Sequence, residues 1–194
     1  MIGPISTRLL PERWREDAFI AGGYAACPEL ATDIDVWVPV PEENSLSDVR
    51  SELLAWLGLQ RLEYRAAVER TIDANVELGY SLRVGGIVYL DNRTVATVFG
   101  TMENRYPRPY HLIVTNGDVD DVLEGFDIST HQIAYTSKGV VKGSGWTPLH
   151  EQPVVLKDTP HTQNRLAKIS QRYAHIRAEY AATLLMAVGD GWGV

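Results

Sequence analysis

The stretch that decides the fold runs Gly22-Gly23-Tyr24-Ala25-Ala26-Cys27-Pro28-Glu29-Leu30-Ala31-Thr32-Asp33-Ile34-Asp35-Val36-Trp37. Its second half reads as a strand over 35–40, because Val36, Trp37, Val38 and Val40 are β-formers and Pro39 and Pro41 mark its exit. Residues two apart on a strand share a face, so Asp33 and Asp35 bring two carboxylates together at the strand start. Like charges that close repel, and a hard cation such as magnesium relieves them while keeping water and phosphate oxygens in its shell. Upstream, Gly22 and Gly23 permit a tight turn and close approach of backbone N–H groups to a phosphate. A phosphate cradle beside a metal clamp is the equipment for transfer from a nucleoside triphosphate.

Working outward, the rest of the chain predicts an α+β protein. A short helix is expected over 11–18 and another over 24–26, with a longer one near 48–57 behind Ser47 as N-cap. Residues 58–75 are ambiguous, with a second helix as one reading. Short β-rich runs follow at 80–84, 86–90 and 94–99, with a turn at Asp91-Asn92-Arg93. A strand at 110–115, a helix at 118–124 with an acidic first turn and a strand at 126–135 come next. After a Gly/Pro-rich loop, a long helix is expected over 163–186. Its apolar stripe is Leu166, Ile169, Tyr173, Ile176, Tyr180, Leu184 and Ala187. Arg165, Lys168, Arg172 and His175 form a basic edge beside that stripe, either a solvated face or a face turned to an anionic ligand.

The order Gly-Gly, short helix, Asp-x-Asp on a strand resembles the DNA polymerase β-like nucleotidyltransferase superfamily. The segment HLIVTNGDVDDVLEGFDISTHQIAY (111–135), with Arg165-Leu166-Ala167-Lys168, looks like a branch of small nucleotidyltransferase-like proteins of viruses and some cellular genomes. The resemblance spans about residues 19–175 and is loose between 42 and 108. It implies a nucleotidyltransferase-type mixed sheet flanked by helices and a transfer of NMP from an NTP to a hydroxyl of RNA, protein or a small molecule. Asp33 and Asp35 would hold two magnesium ions, with manganese as a substitute. Asp127 would supply the third carboxylate, ligating the catalytic metal and helping to deprotonate the acceptor. Gly22, Gly23 and Tyr24 would contact the nucleotide; helix geometry, not the resemblance, adds Lys168 and Arg172, one turn apart on the predicted final helix, to neutralise the triphosphate. One departure stands out: Tyr24 follows Gly-Gly where many active members carry serine, so phosphate contacts would rest on backbone N–H groups and basic side chains.

Two other readings stand beside this one. The first is a non-catalytic binding module of the same fold, an antitoxin-like or host-factor binder. The second is a metal-dependent nuclease, for which no Lys or His partner appears at a recognisable spacing. The five histidines, at 111, 131, 150, 161 and 175, lack close metal-ligand spacing and are assigned to packing or the surface. Cys27, the only cysteine, excludes an intramolecular disulfide framework.

The 194 residues carry 18 Lys+Arg against 25 Asp+Glu, a net charge of −7, which argues against binding nucleic acid through bulk charge. The charge is uneven: residues 138–179 hold seven Lys/Arg and three Asp/Glu, a local net of +4. The longest mostly apolar run, 180–188, is about half a membrane span, and the N-terminal residues lack a run suited to a signal peptide. The expectation is a single cytoplasmic domain over 1–194, in the host cytoplasm if viral, with no membrane partner.

Overall fold

A computed structural model describes residues 8–67, 92–159, 162–163, 165–167 and 169–170. Its elements are α1 (Glu12–Arg15), β1 (Phe19–Ala21), α2 (Gly23–Ala26), β2 (Ile34–Pro39), α3 (Leu46–Leu59), β3 (Leu62–Ala66), β4 (Asn92–Thr101), β5 (Arg105–Thr115), α4 (Val119–Gly125), β6 (Ile133–Thr136) and β7 (Gly139–Lys142), with a 3-10 turn at Ser129–His131. The seven strands form one mixed sheet in the order β3-β4-β5-β2-β1-β6-β7. The fold class is therefore α+β, with a mixed sheet and flanking helices, as the sequence predicts.

Among the described residues only β2 and β5 run parallel, with Asp35 opposite His111 and Val36 opposite Leu112; β1 and β4 join them antiparallel on either side. Alternation along these strands divides the core between two faces. On one, Ile34, Val36, Val38, Leu112 and Val114 pack with Val49, Leu53 and Leu57 of α3. On the other, Trp37 and Ile113 pack with Phe19, Val122, Leu123 and Phe126. Trp37 stacks on Phe19 with ring centroids 6.5 Å apart and meets Phe126 edge-on at 6.1 Å. Asp35 is two residues before Trp37, so the acid pair belongs to this aromatic face.

Several element boundaries differ from the sequence reading, each for a local reason. Pro11 caps a single turn at Glu12–Arg15 rather than opening a helix to residue 18. Ser45, not Ser47, caps α3; its side chain accepts from the Ser47 N–H. Asn92 and Arg93 belong to β4 rather than to a turn, and the ambiguous 58–75 region contains β3. Asp118 caps α4 in a reciprocal capping box with Asp121.

The largest correction concerns 126–135. Its apolar alternation reads as one strand, but only Ile133–Thr136 is a strand. Ile128 instead makes an isolated bridge with Val155, and the backbone then turns through Ser129–His131. The predicted runs at 80–84 and 86–90 lie outside the described residues. So does most of the predicted helix over 163–186; the described residues there, 163, 165–167 and 169–170, are helical, as is 162, and Ile169 is buried. No helix among the described residues is long and apolar enough to cross a membrane.

Candidate functional site

The acid pair forms where the sequence places it. Asp33 immediately precedes β2 and Asp35 is its second residue. Both side chains keep access to solvent, at 44% and 27% exposure. Between them stands His111, contributed by β5. Its Nδ1 lies 3.1 Å from Asp35 Oδ1 and 4.0 Å from Asp33 Oδ2. The parallel register that sets Asp35 opposite His111 is the cause of this meeting.

Electrostatics tie the three groups together. Burial pushes the Asp35 carboxyl above its ordinary 3.8; the hydrogen bond and charge of His111 pull it down without cancelling the rise, and the Asp33 charge adds to it. The hydrogen bond to Asp35 holds the His111 imidazole above its ordinary 6.5, against the effect of burial, and the charges of Asp35 and Asp33 assist. Both groups thus hold protons more firmly than they would alone. A proton supplies part of the positive charge that the paired carboxylates demand.

Gly22 closes one side of the site. It caps α2 with φ +83°, a backbone conformation that favours glycine. A Cβ built there would stand 3.5 Å from Asp35 Oδ2 and 3.5 Å from Phe126 Cζ. The turn therefore lies directly against the second oxygen of Asp35. Gly23 and Tyr24 open the helical turn, and the Arg108 guanidinium lies 5.8 Å from the centre of the Tyr24 ring.

Asp127 is placed differently. It sits in the bend between α4 and the 3-10 turn, with its side chain 2% exposed. Arg165 Nη1 donates to its Oδ1 at 2.9 Å, and the hydroxyls of Thr162 and Thr159 lie 2.8 and 3.2 Å from its Oδ2. The backbone takes part as well: the Asp127 carbonyl accepts from the N–H groups of Leu156 and Lys157 at 2.8 and 3.3 Å. Burial alone would raise this carboxyl; the Thr162 hydrogen bond and the Arg165 charge outweigh it and hold the group below its ordinary 3.8. Asp127 thus ties Leu156, Lys157, Thr159, Thr162 and Arg165 to the end of α4.

The structure therefore brings Asp33, Asp35 and Gly22 together, adds His111 and gives Asp127 a buried ion-paired setting. Lys168 and Arg172 lie outside the described residues. Sequence reasoning assigns His111 to packing or the surface. The signal that would have found it is the shared apolar alternation of IDVWV and HLIVT: pairing these two runs in parallel sets Asp35 beside His111.

For a cation, the donor set at the acid pair has suitable chemistry: two carboxylates two residues apart, with one Asp35 oxygen facing a glycine turn. Among the described residues, no group of three or more His, Cys, Asp or Glu side chains is arranged to hold a metal ion. No protein-family model matches the chain, and no curated protein or solved structure matches it.

Proposed function

We propose that this protein is a divalent-cation-dependent nucleotidyltransferase that moves a nucleoside monophosphate from an NTP onto a hydroxyl of an RNA, protein or small-molecule acceptor. The observation that carries the reading is the meeting of Asp33 and Asp35 at the start of β2, beside the Gly22 turn. Magnesium, as two ions or with manganese in its place, would neutralise charge on the phosphates and on the attacking and leaving oxygens of an in-line displacement. Asp33 and Asp35 are the residues that would hold it. Gly22 carries no side chain on the side that faces Asp35 Oδ2, and the leading amides of a helical turn, which Gly23 opens, have no acceptor within the helix. Tyr24 borders the same turn.

Asp127 has a positioning role in this reading rather than that of a third metal ligand. Its two oxygens already engage Arg165, Thr162 and Thr159, and freeing them would leave a guanidinium without this carboxylate. Lys168 and Arg172 remain proposed phosphate partners, by their spacing on the predicted C-terminal helix. The test is incubation with each labelled NTP and magnesium across candidate acceptors, comparing the wild type with Asp33→Asn/Asp35→Asn.

One observation favours a second reading, a non-catalytic module of the same architecture. His111 gives Asp35 an internal counter-charge, so the acid pair is partly neutralised without a metal. That reading expects tight association with a macromolecule that survives loss of both aspartates, which a pull-down with the double variant detects.

A further inference from the structure

We propose that His111 is the positioning residue of the metal-binding pair: it fixes Asp35 Oδ1 so that Oδ2 is presented to the Gly22 turn. The inference rests on the metal-dependent reading above and goes beyond it, because the carboxylate's orientation is assigned to a neighbouring strand. Three observations carry it. Asp35 and His111 are register partners on the only parallel strand pair among the described residues. The Nδ1–Oδ1 separation is 3.1 Å, a hydrogen-bond distance, while Asp33 Oδ2 lies 4.0 Å from the same nitrogen. The other Asp35 oxygen lies 3.5 Å from where a Gly22 Cβ would stand.

The chemistry follows from these contacts. An aspartate carboxylate rotates broadly about its last torsion. A bond from an imidazole held on the adjacent strand removes that freedom. Leu112 and Ile113, the next two residues of β5, are buried and anchor the backbone that carries the ring. An ionised carboxylate only accepts hydrogen bonds, so Nδ1 carries the hydrogen and donates it to Oδ1. Partners of this kind orient metal-binding carboxylates and strengthen binding through them. Asp33, 4.0 Å from the same nitrogen, lies beyond hydrogen-bond distance, so the ring fixes Asp35 alone.

The test is Mn2+ titration of the intact protein, with and without ATP, followed by loss of the free-ion electron paramagnetic resonance signal, with thermal unfolding run alongside. His111→Leu removes the donor and is expected to weaken Mn2+ binding by about 10–100-fold. His111→Asn places an amide nitrogen near the position of Nδ1 and is expected to restore most of the affinity. His111→Gln reaches towards the position of Nε2 and is expected not to. If His111→Leu does not fold, the contrast between Asn and Gln carries the test. Equal Mn2+ affinity in a folded His111→Leu variant, tighter binding in it, or equal affinities for Asn and Gln would overturn the positioning role while leaving the proposed transfer reaction standing. Absence of Mn2+ binding by the wild type, with and without ATP, would sink the metal-dependent reading and this inference with it.

Discussion

Asp35 lies across the Gly22 turn from Phe126 and Asp127 follows Phe126 in the chain, yet the two carboxylates have opposite settings. Asp127 is almost fully buried; an arginine and two threonines engage its oxygens and hold its pKa down. Asp35 keeps 27% exposure, shares its region with a second carboxylate and has its pKa pushed up. A buried, multiply bonded carboxylate is a fixed part of the framework. Asp35 instead keeps contact with solvent and has a hydrogen-bond partner, His111, on only one of its two oxygens among the described residues, which is why the proposed cation is assigned to this pair and not to Asp127. The difference explains why two aspartates that look alike in sequence are assigned different work.

The sharpest way to break the contrast is to remove one partner from each site. Arg165→Met leaves the Asp127 carboxylate buried without its ion pair and is expected to cost about 3–5 kcal/mol, read by urea denaturation. Asp35→Asn removes a charge that Asp33 repels and is expected to change stability by less than about 1 kcal/mol. Similar losses in the two variants would erase the distinction.

Gly22→Ala is the next largest effect. A side chain at φ +83°, ψ −143° costs about 1–3 kcal/mol, and the drop should appear in the thermal midpoint. Its new methyl would sit in ordinary contact with Asp35 Oδ2 and the Phe126 ring, so strain rather than collision is the cause. An unchanged midpoint would mean that the turn relaxes to a conformation any residue adopts.

The two sites also impose opposite dependences on pH. Asp127 has a lowered folded-state pKa, so its stabilisation is full above the ordinary 3.8 and disappears as pH falls through the folded value. His111 has a raised one, so its stabilisation is full below the ordinary 6.5 and disappears as pH rises through the folded value. Stability of Asp127→Asn relative to wild type should therefore improve towards acid. The His111 ring titration, followed by NMR, should lie above 6.5 in the wild type and move down in Asp35→Asn. A His111 titration that Asp35→Asn leaves in place would remove Asp35 as the cause of the shift.

How much of this was legible in the sequence depends on how local each determinant is. The strand carrying Asp35 could be read from its own alternating apolar residues, and the helix after Asp118 from its acidic start. The strand expected around Asp127 does not form, although Phe126-Asp127-Ile128 alternates like one. Nothing local in that pattern reveals that Thr159, Thr162 and Arg165 return to surround the carboxylate. His111 was missed for the same reason: it lies 76 residues from Asp35, and only the parallel pairing of β2 with β5 brings them together. Local pattern gave the acid pair, and long-range pairing decided what surrounds it.

The central claim is that Asp33 and Asp35 hold a divalent cation for chemistry on a nucleoside triphosphate. The most direct measurement is transfer of label from each α-labelled NTP to candidate RNA, protein and small-molecule acceptors with magnesium or manganese present, with metal-dependent NTP binding measured on the same protein. The account predicts transfer that needs the metal and is abolished in Asp33→Asn/Asp35→Asn while that variant remains folded. No transfer to any acceptor, together with no metal-dependent NTP binding by the wild type, would contradict it.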